Sequence, residues 1–170
     1  MRSAPHLTMR AWFGLGVFAT LLIVALAAPW LAPHDPLEQD LLAASLPPAW
    51  ATEGERSHPF GTDTLGRDTL SRLIHGARPA LIVALAGASL AGVAGTLLGL
   101  LAGFHGGRVD ALISRAVDVW MSFPAVLLAI VLVAVIGTGL LAVVLAIAII
   151  DWTRFCRVVR AESQAQARLD

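Results

Sequence analysis

Asp68, Ser71 and His75 fall within eight residues, and they are the residue types of an orienting acid, a nucleophile and a base. One short helix does not easily bring the three together in those roles, so an intramembrane hydrolase reading rests on Ser71 and His75 alone. His34, His58 and His75 are metal-ligand types that Asp35 or Asp63 could join, but their spacing matches no established ligand pattern. All twelve basic residues are arginine. Without lysine there is no phosphate-gripping Walker A loop and no Schiff-base chemistry, so any use of ATP must run through another polypeptide. The one cysteine, Cys156, excludes an intrachain disulfide and a multi-thiolate metal site. No catalytic residue, metal or cofactor is expected from these patterns.

The elements around these residues are built for lipid. Of the 170 residues, 57% are hydrophobic and 14% charged, against about 25% charged in a soluble domain. Twelve acidic residues balance the arginines, so composition gives a nucleic-acid partner no support. A first apolar run covers residues 12–32, 21 residues and enough for one membrane span. The small-residue stretch Ala25-Leu26-Ala27 resembles a signal-cleavage site, but the run is long for a signal peptide, so an uncleaved anchor is expected. Residues 33–78 are polar, with seven acidic residues and four arginines. A second span is expected at 79–104. Residues 119–150 then run 32 positions without a charge, about 48 Å as a single helix and too long for a simple crossing. Gly137-Thr138-Gly139 divides that run, so helices are expected at about 111–136 and 140–157.

Four spans place Arg2, Arg10, Arg108, Arg115, Arg154, Arg157, Arg160 and Arg168 on one side. The positive-inside rule makes that side cytoplasmic, with both termini inside and residues 33–78 outside. Within the second span, Gly87, Ala91, Gly95, Gly99 and Gly103 recur every fourth residue, which makes a face for close backbone packing. Arg115 and Asp118 are spaced to pair on one helix face. Asp151, Trp152 and Arg154 suit interfacial anchoring, and Pro124 is placed to kink the third helix. In the outer segment Asp63 is expected as a helix N-cap and Gly76 as the stop before Pro79. Between them Asp68 and Arg72 are spaced to pair, and Leu65, Leu70, Leu73 and Ile74 supply an apolar face.

One stretch is distinctive: His58-Pro59-Phe60-Gly61-Thr62-Asp63, then Leu65-Gly66-Arg67-Asp68 and Ser71-Arg72-Leu73. It closely resembles a stretch of the second-type (C-type) permeases of dipeptide, oligopeptide and nickel ABC importers. Gly76-Ala77-Arg78 resembles that family's approach to its second span. Arg115, Asp118, Ser122 and Pro124 resemble its third helix. Trp152, Arg154, Phe155 and Val158-Val159-Arg160 resemble the end of its fourth. The resemblance implies an all-α membrane protein like the N-terminal part of a six-span type I importer permease, in the bacterial inner membrane. It implies a sister permease, two cytoplasmic ATPase subunits and an external solute-binding protein as partners. It also implies that the chain stops, at Arg168-Leu169-Asp170, where a coupling loop rich in Glu-Ala-Ala should begin. A chain truncated there would not couple to the ATPase alone. The alternative is a non-transporting membrane remnant or scaffold that binds a sister permease through the small-residue face.

Overall fold

The computed structural model describes residues 9–167. Residues 1–8, with Arg2, and the terminal Arg168, Leu169 and Asp170 lie outside the described residues. Regular structure among the described residues is helical: α1 Met9–Leu31, α2 Thr69–His105, α3 Gly107–Met121, α4 Ala125–Ile136 and α5 Leu140–Gln166, with one 3-10 turn at Leu41–Ala43. A single antiparallel bridge joins Thr62 and Asp68. The chain forms two compact units, one up to Leu81 and one from Ile82.

In the first unit, α1 is a 23-residue apolar helix, about 35 Å long. Pro29 sits in its last turn, and the following Pro33 biases residue 32 away from helical geometry, which ends it. The polar segment then folds on itself without regular strands. The Ser45 N–H donates to the Asp63 carbonyl at 2.9 Å, and the Thr62 N–H to the Leu46 carbonyl at 3.1 Å. The Thr62 hydroxyl accepts from the Leu46 N–H at 2.9 Å and donates to the Ala43 carbonyl. Two glycines make this closure possible. Gly61 and Gly66 have φ of +71° and +72°, and a Cβ on either would strike backbone, at Leu46 and Asp40 respectively.

α2 departs from the sequence expectation. It runs 37 residues through both Gly76 and Pro79, about 55 Å where a bilayer core needs about 30 Å. The outer helix and the second span are therefore one element. A glycine costs a helix only about 1 kcal/mol. Proline is tolerated in membrane helices, where unpaired backbone groups elsewhere would cost more.

In the second unit, α2 from Ile82 onward packs against α5, and α5 also contacts α3 and α4. The helix expected at 111–136, with Pro124 placed to kink it, is fully broken. α3 and α4 meet at 88° across Ser122-Phe123-Pro124. The Ser122 N–H caps the Asp118 and Val119 carbonyls, its hydroxyl donates to Val119 at 2.6 Å, and Pro124 opens α4 with no N–H to offer. Gly137 and Gly139, both with positive φ, separate α4 from α5. α5 extends to Gln166, beyond the expected end near 157. By length and composition α1 and α2 each qualify as membrane spans, and the bent α3–α4 pair is a broken third span or a re-entrant loop; α5, charged along its second half, does not qualify, so the described residues give two or three spans where four were expected.

Candidate functional site

The most distinctive residues of the sequence converge at the outer end of α2. Asp63 does not cap the helix, because α2 starts six residues later, at Thr69. Instead it organises the turn over residues 63–67. Its Oδ1 accepts from the N–H groups of Leu65 at 2.9 Å and Arg67 at 3.0 Å. Its Oδ2 takes the Arg67 guanidinium at 2.8 Å and that of Arg72 as well. Burial opposes ionisation of Asp63, but the hydrogen bonds from Arg67 and Leu65 and the Arg67 charge outweigh it and hold the carboxyl at about 2.

Asp68 takes the role at the helix start. It is 2% exposed, and its Oδ2 accepts from the Ser71 N–H at 2.7 Å. Its Oδ1 lies 3.0 Å from His58 Nδ1. The expected Asp68–Arg72 pair does not form, because Asp68 is buried and already satisfied while Arg72 lies at the surface beside Asp63. Burial raises the Asp68 pKa, and hydrogen bonds from Ser71 and His58 reverse the sign and lower it.

The structure gives no support to the hydrolase reading. The Ser71 hydroxyl accepts from the His34 backbone N–H at 3.0 Å, and His75 Nδ1 meets the Ser71 carbonyl rather than its hydroxyl. Among the described residues no histidine ring reaches the Ser71 oxygen to serve as its base. Phe60 stacks edge-on against Trp50, and Pro59 accepts from the Ala49 N–H at 3.2 Å. Leu65 is exposed. The metal-type grouping also changes members: His34 and His58 come together with Asp68, not with His75, Asp35 or Asp63. No local spacing signals this, because the three positions meet only after the loop closes through Ser71.

The small-residue face of α2 is occupied within the chain. Gly87, Ala91, Gly95, Gly99 and Gly103 are all buried. A Cβ on Gly87 would lie 2.9 Å from the Ile147 side chain, and one on Gly99 would lie 2.8 Å from the Cys156 carbonyl. Gly95 sits against Trp152 and Cys156, and Gly103 against Ser163. From Gly95 onward each glycine meets backbone of α5, so the two helices approach backbone to backbone there.

The third- and fourth-helix residues divide. Trp120 of α3 lies 6.3 Å from Trp152 of α5, ring centre to ring centre. Arg160 grips Asp110 through both carboxylate oxygens, with Nη2 to Oδ2 at 2.8 Å. That two-pronged pair ties α3 to α5 and was not anticipated from sequence, because fifty residues separate its members. Arg154 pairs with Asp151 at 3.3 Å. Arg115 and Asp118 are both exposed and form no ion pair among the described residues.

Comparison with known proteins matches both ends of this architecture. Residues 95–169 match the family described as the binding-protein-dependent transport system inner membrane component. Residues 9–48 match the N-terminal TM domain of oligopeptide transport permease C. A di/tripeptide transport system permease protein of Pseudomonas aeruginosa is 45% identical over 91% of this chain and 52% of its own length. A dipeptide transport system permease protein of Haemophilus influenzae is 36% identical over 94% of this chain and 54% of its own. A probable D,D-dipeptide transport system permease protein of Escherichia coli is 39% identical over 86% and 47%. The chain spans about half the length of the curated relatives it matches. An all-helical fold, a permease-C match at the N-terminus and a transport-component match that begins within α2 together make this chain similar to the binding-protein-dependent transport system inner membrane components.

Proposed function

We propose that this chain acts as a transmembrane permease subunit of an ABC importer for peptides or related small solutes. The observation that carries the reading is the 45% identity to a di/tripeptide permease, which extends over 157 residues and so includes the whole outer motif. Transport by this family divides the labour. A solute-binding protein delivers ligand from outside, two unlike permeases form the pathway, and two cytoplasmic ATPase subunits hydrolyse ATP. This chain has no lysine with which to build a phosphate loop of its own, in keeping with that division. With an even number of crossings, the arginine distribution supports cytoplasmic termini and puts the turn around Asp63 on the binding protein's side. Peptides are favoured over nickel complexes because the relatives' names specify peptides. The scaffold alternative loses its motive, since α5 covers the small-residue face that a sister subunit was to use.

Deleting the gene for this chain in its own bacterium and following labelled dipeptide uptake tests the reading. Loss of uptake, restored by the gene, supports it. Loss of nickel uptake with dipeptide uptake intact reassigns the ligand. No change in either overturns it.

A further inference from the structure

His34, His58 and Asp68 each bring one ligand-type atom to within 4.8 Å of the others. They come from three separate stretches: the loop after α1, the middle of the outer segment, and the residue before α2. Ser71, fully buried, fastens two of them. Its hydroxyl accepts from the His34 backbone N–H at 3.0 Å, and its own N–H donates to Asp68 Oδ2 at 2.7 Å. The positions of His34 and Asp68 are therefore set by backbone bonds that do not use the His34 ring or Asp68 Oδ1.

Asp68 Oδ1 and His58 Nδ1 are 3.0 Å apart. Two ligands bound at about 2.0 Å to one tetrahedral ion are separated by about 3.3 Å, so an ion can replace the proton they share with little movement. The His34 ring stacks on His58, centroids 4.8 Å apart and planes at 29°. Its Nδ1 is buried and has no hydrogen-bond partner. A buried ring nitrogen left unpaired costs about 1–3 kcal/mol, and such an atom calls for a partner. A structural role for the His58–Asp68 pair accounts for those two residues but leaves His34 Nδ1 unexplained. The three residues open on a cavity of about 210 Å³ that the carboxylates of Asp35, Glu38 and Asp40 also line. Asp35 and Asp40 each use one oxygen on a backbone N–H, at Leu37 and Leu42, and keep the other free of it.

Two imidazoles and a carboxylate, with more carboxylates nearby and no thiolate, form a donor set for a late divalent transition metal. The geometry points to a metal site of that class, in which His34, His58 and Asp68 bind a Zn²⁺-type ion and clasp the outer segment to the start of α2. The ion is a clasp on the fold, separate from any solute carried by the transporter. Each ligand lies on a different stretch of chain, so occupancy stabilises the closed loop by an amount that grows with the logarithm of free ion over Kd.

The test uses the full chain in detergent, stripped with a chelator and titrated with Zn²⁺ alone against a chromophoric competitor. Co²⁺ serves as the spectroscopic probe. Saturable binding at a single equivalent is expected, with the visible bands of a four-coordinate N/O cobalt site. His34→Ala removes a ligand whose side chain makes no hydrogen bond among the described residues, so the fold is kept. It is expected to weaken Zn²⁺ by at least about tenfold. His58→Ala should do the same. His75→Ala, whose ring bonds the Ser71 carbonyl, should leave affinity unchanged. No saturable Zn²⁺ in the unmodified chain overturns the proposal, and so does affinity that survives His34→Ala. If His58→Ala fails to fold, His34→Ala decides.

Discussion

The outer segment and the α2–α5 contact hold their shape by opposite means. The segment over residues 33–72 has little regular structure and few buried apolar side chains. It is fixed by polar bonds aimed at single atoms: Thr62 on two backbone groups, Asp63 on two N–H groups and two guanidinia, Asp68 on Ser71 and His58. At its seam the helix pair sets the glycines of α2 against the backbone and the first side-chain atoms of α5. In water a polar atom without a partner finds a solvent molecule, so order requires every bond to be specified. In lipid the apolar drive between helices is gone, and closeness of approach is what remains to select a partner. The two regions should therefore fail differently when altered.

The largest effect is expected at the seam. Gly95→Leu would drive a side chain into the Trp152 carbonyl and the Cys156 backbone, neither of which can move without displacing α5. A loss of about 3 kcal/mol, the upper part of the overpacking range, is expected in detergent unfolding. Gly92→Ala is the contrast. Its Cβ would meet only the Phe155 ring, at 3.7 Å, an ordinary contact. That variant should melt with the unmodified chain. Equal melting of the two variants would mean that α2 and α5 are not in backbone contact.

Gly66→Ala comes next, and it tests whether the outer segment fails locally. The new Cβ would strike the Asp40 carbonyl, in a residue held at φ +72°. Left-handed geometry alone costs a non-glycine residue about 1–2 kcal/mol. Hydrogen exchange should quicken at the amides of Thr62, Asp63 and Arg67, while amides of α5 keep their protection. Loss of protection in both places would show that the two regions unfold as one, and the contrast between them would break.

How far the sequence could be read follows the same division. The apolar runs announce α1 and the core of α2, since lipid needs length and composition and little else. Local breakers mislead in that setting: Gly76 and Pro79 look like an end, yet the helix passes through both. Pro124 signals a kink, and the structure carries it to an 88° break because Ser122 caps the outgoing carbonyls first. The outer motif is legible as a motif, but the jobs of its two aspartates are exchanged. Spacing alone fits Asp63 to a helix cap and Asp68 to Arg72. Burial decides otherwise, and burial at Asp68 depends on His58, ten residues earlier. The Asp110–Arg160 tie across fifty residues has no local signature at all.

The smallest effect is electrostatic, and it separates the two regions by pH. The Asp63 carboxyl is lowered from its ordinary 3.8 to about 2. A depressed carboxylate contributes stability that is fully present above its unfolded value. As pH falls from about 4 toward 2, the unfolded chain takes up a proton that the folded chain still refuses, and the contribution drains away. The outer segment should thus lose exchange protection over that acid window, while the Gly95 seam, which has no titrating group in contact with the glycine, holds. Asp63→Asn removes the charge that Arg67 and Arg72 share and should loosen the 63–67 turn at neutral pH. It should also flatten the acid dependence, because asparagine has no proton to gain there. Raised salt should weaken the unmodified chain's turn and leave the variant's unchanged, since partly exposed guanidinium pairs are screened. An acid dependence that persists undiminished in Asp63→Asn would assign it to Asp68, whose carboxyl is lowered by Ser71 and His58 rather than by arginine. The clasp on α2, not the turn before it, would then be the part of the outer segment that acid opens.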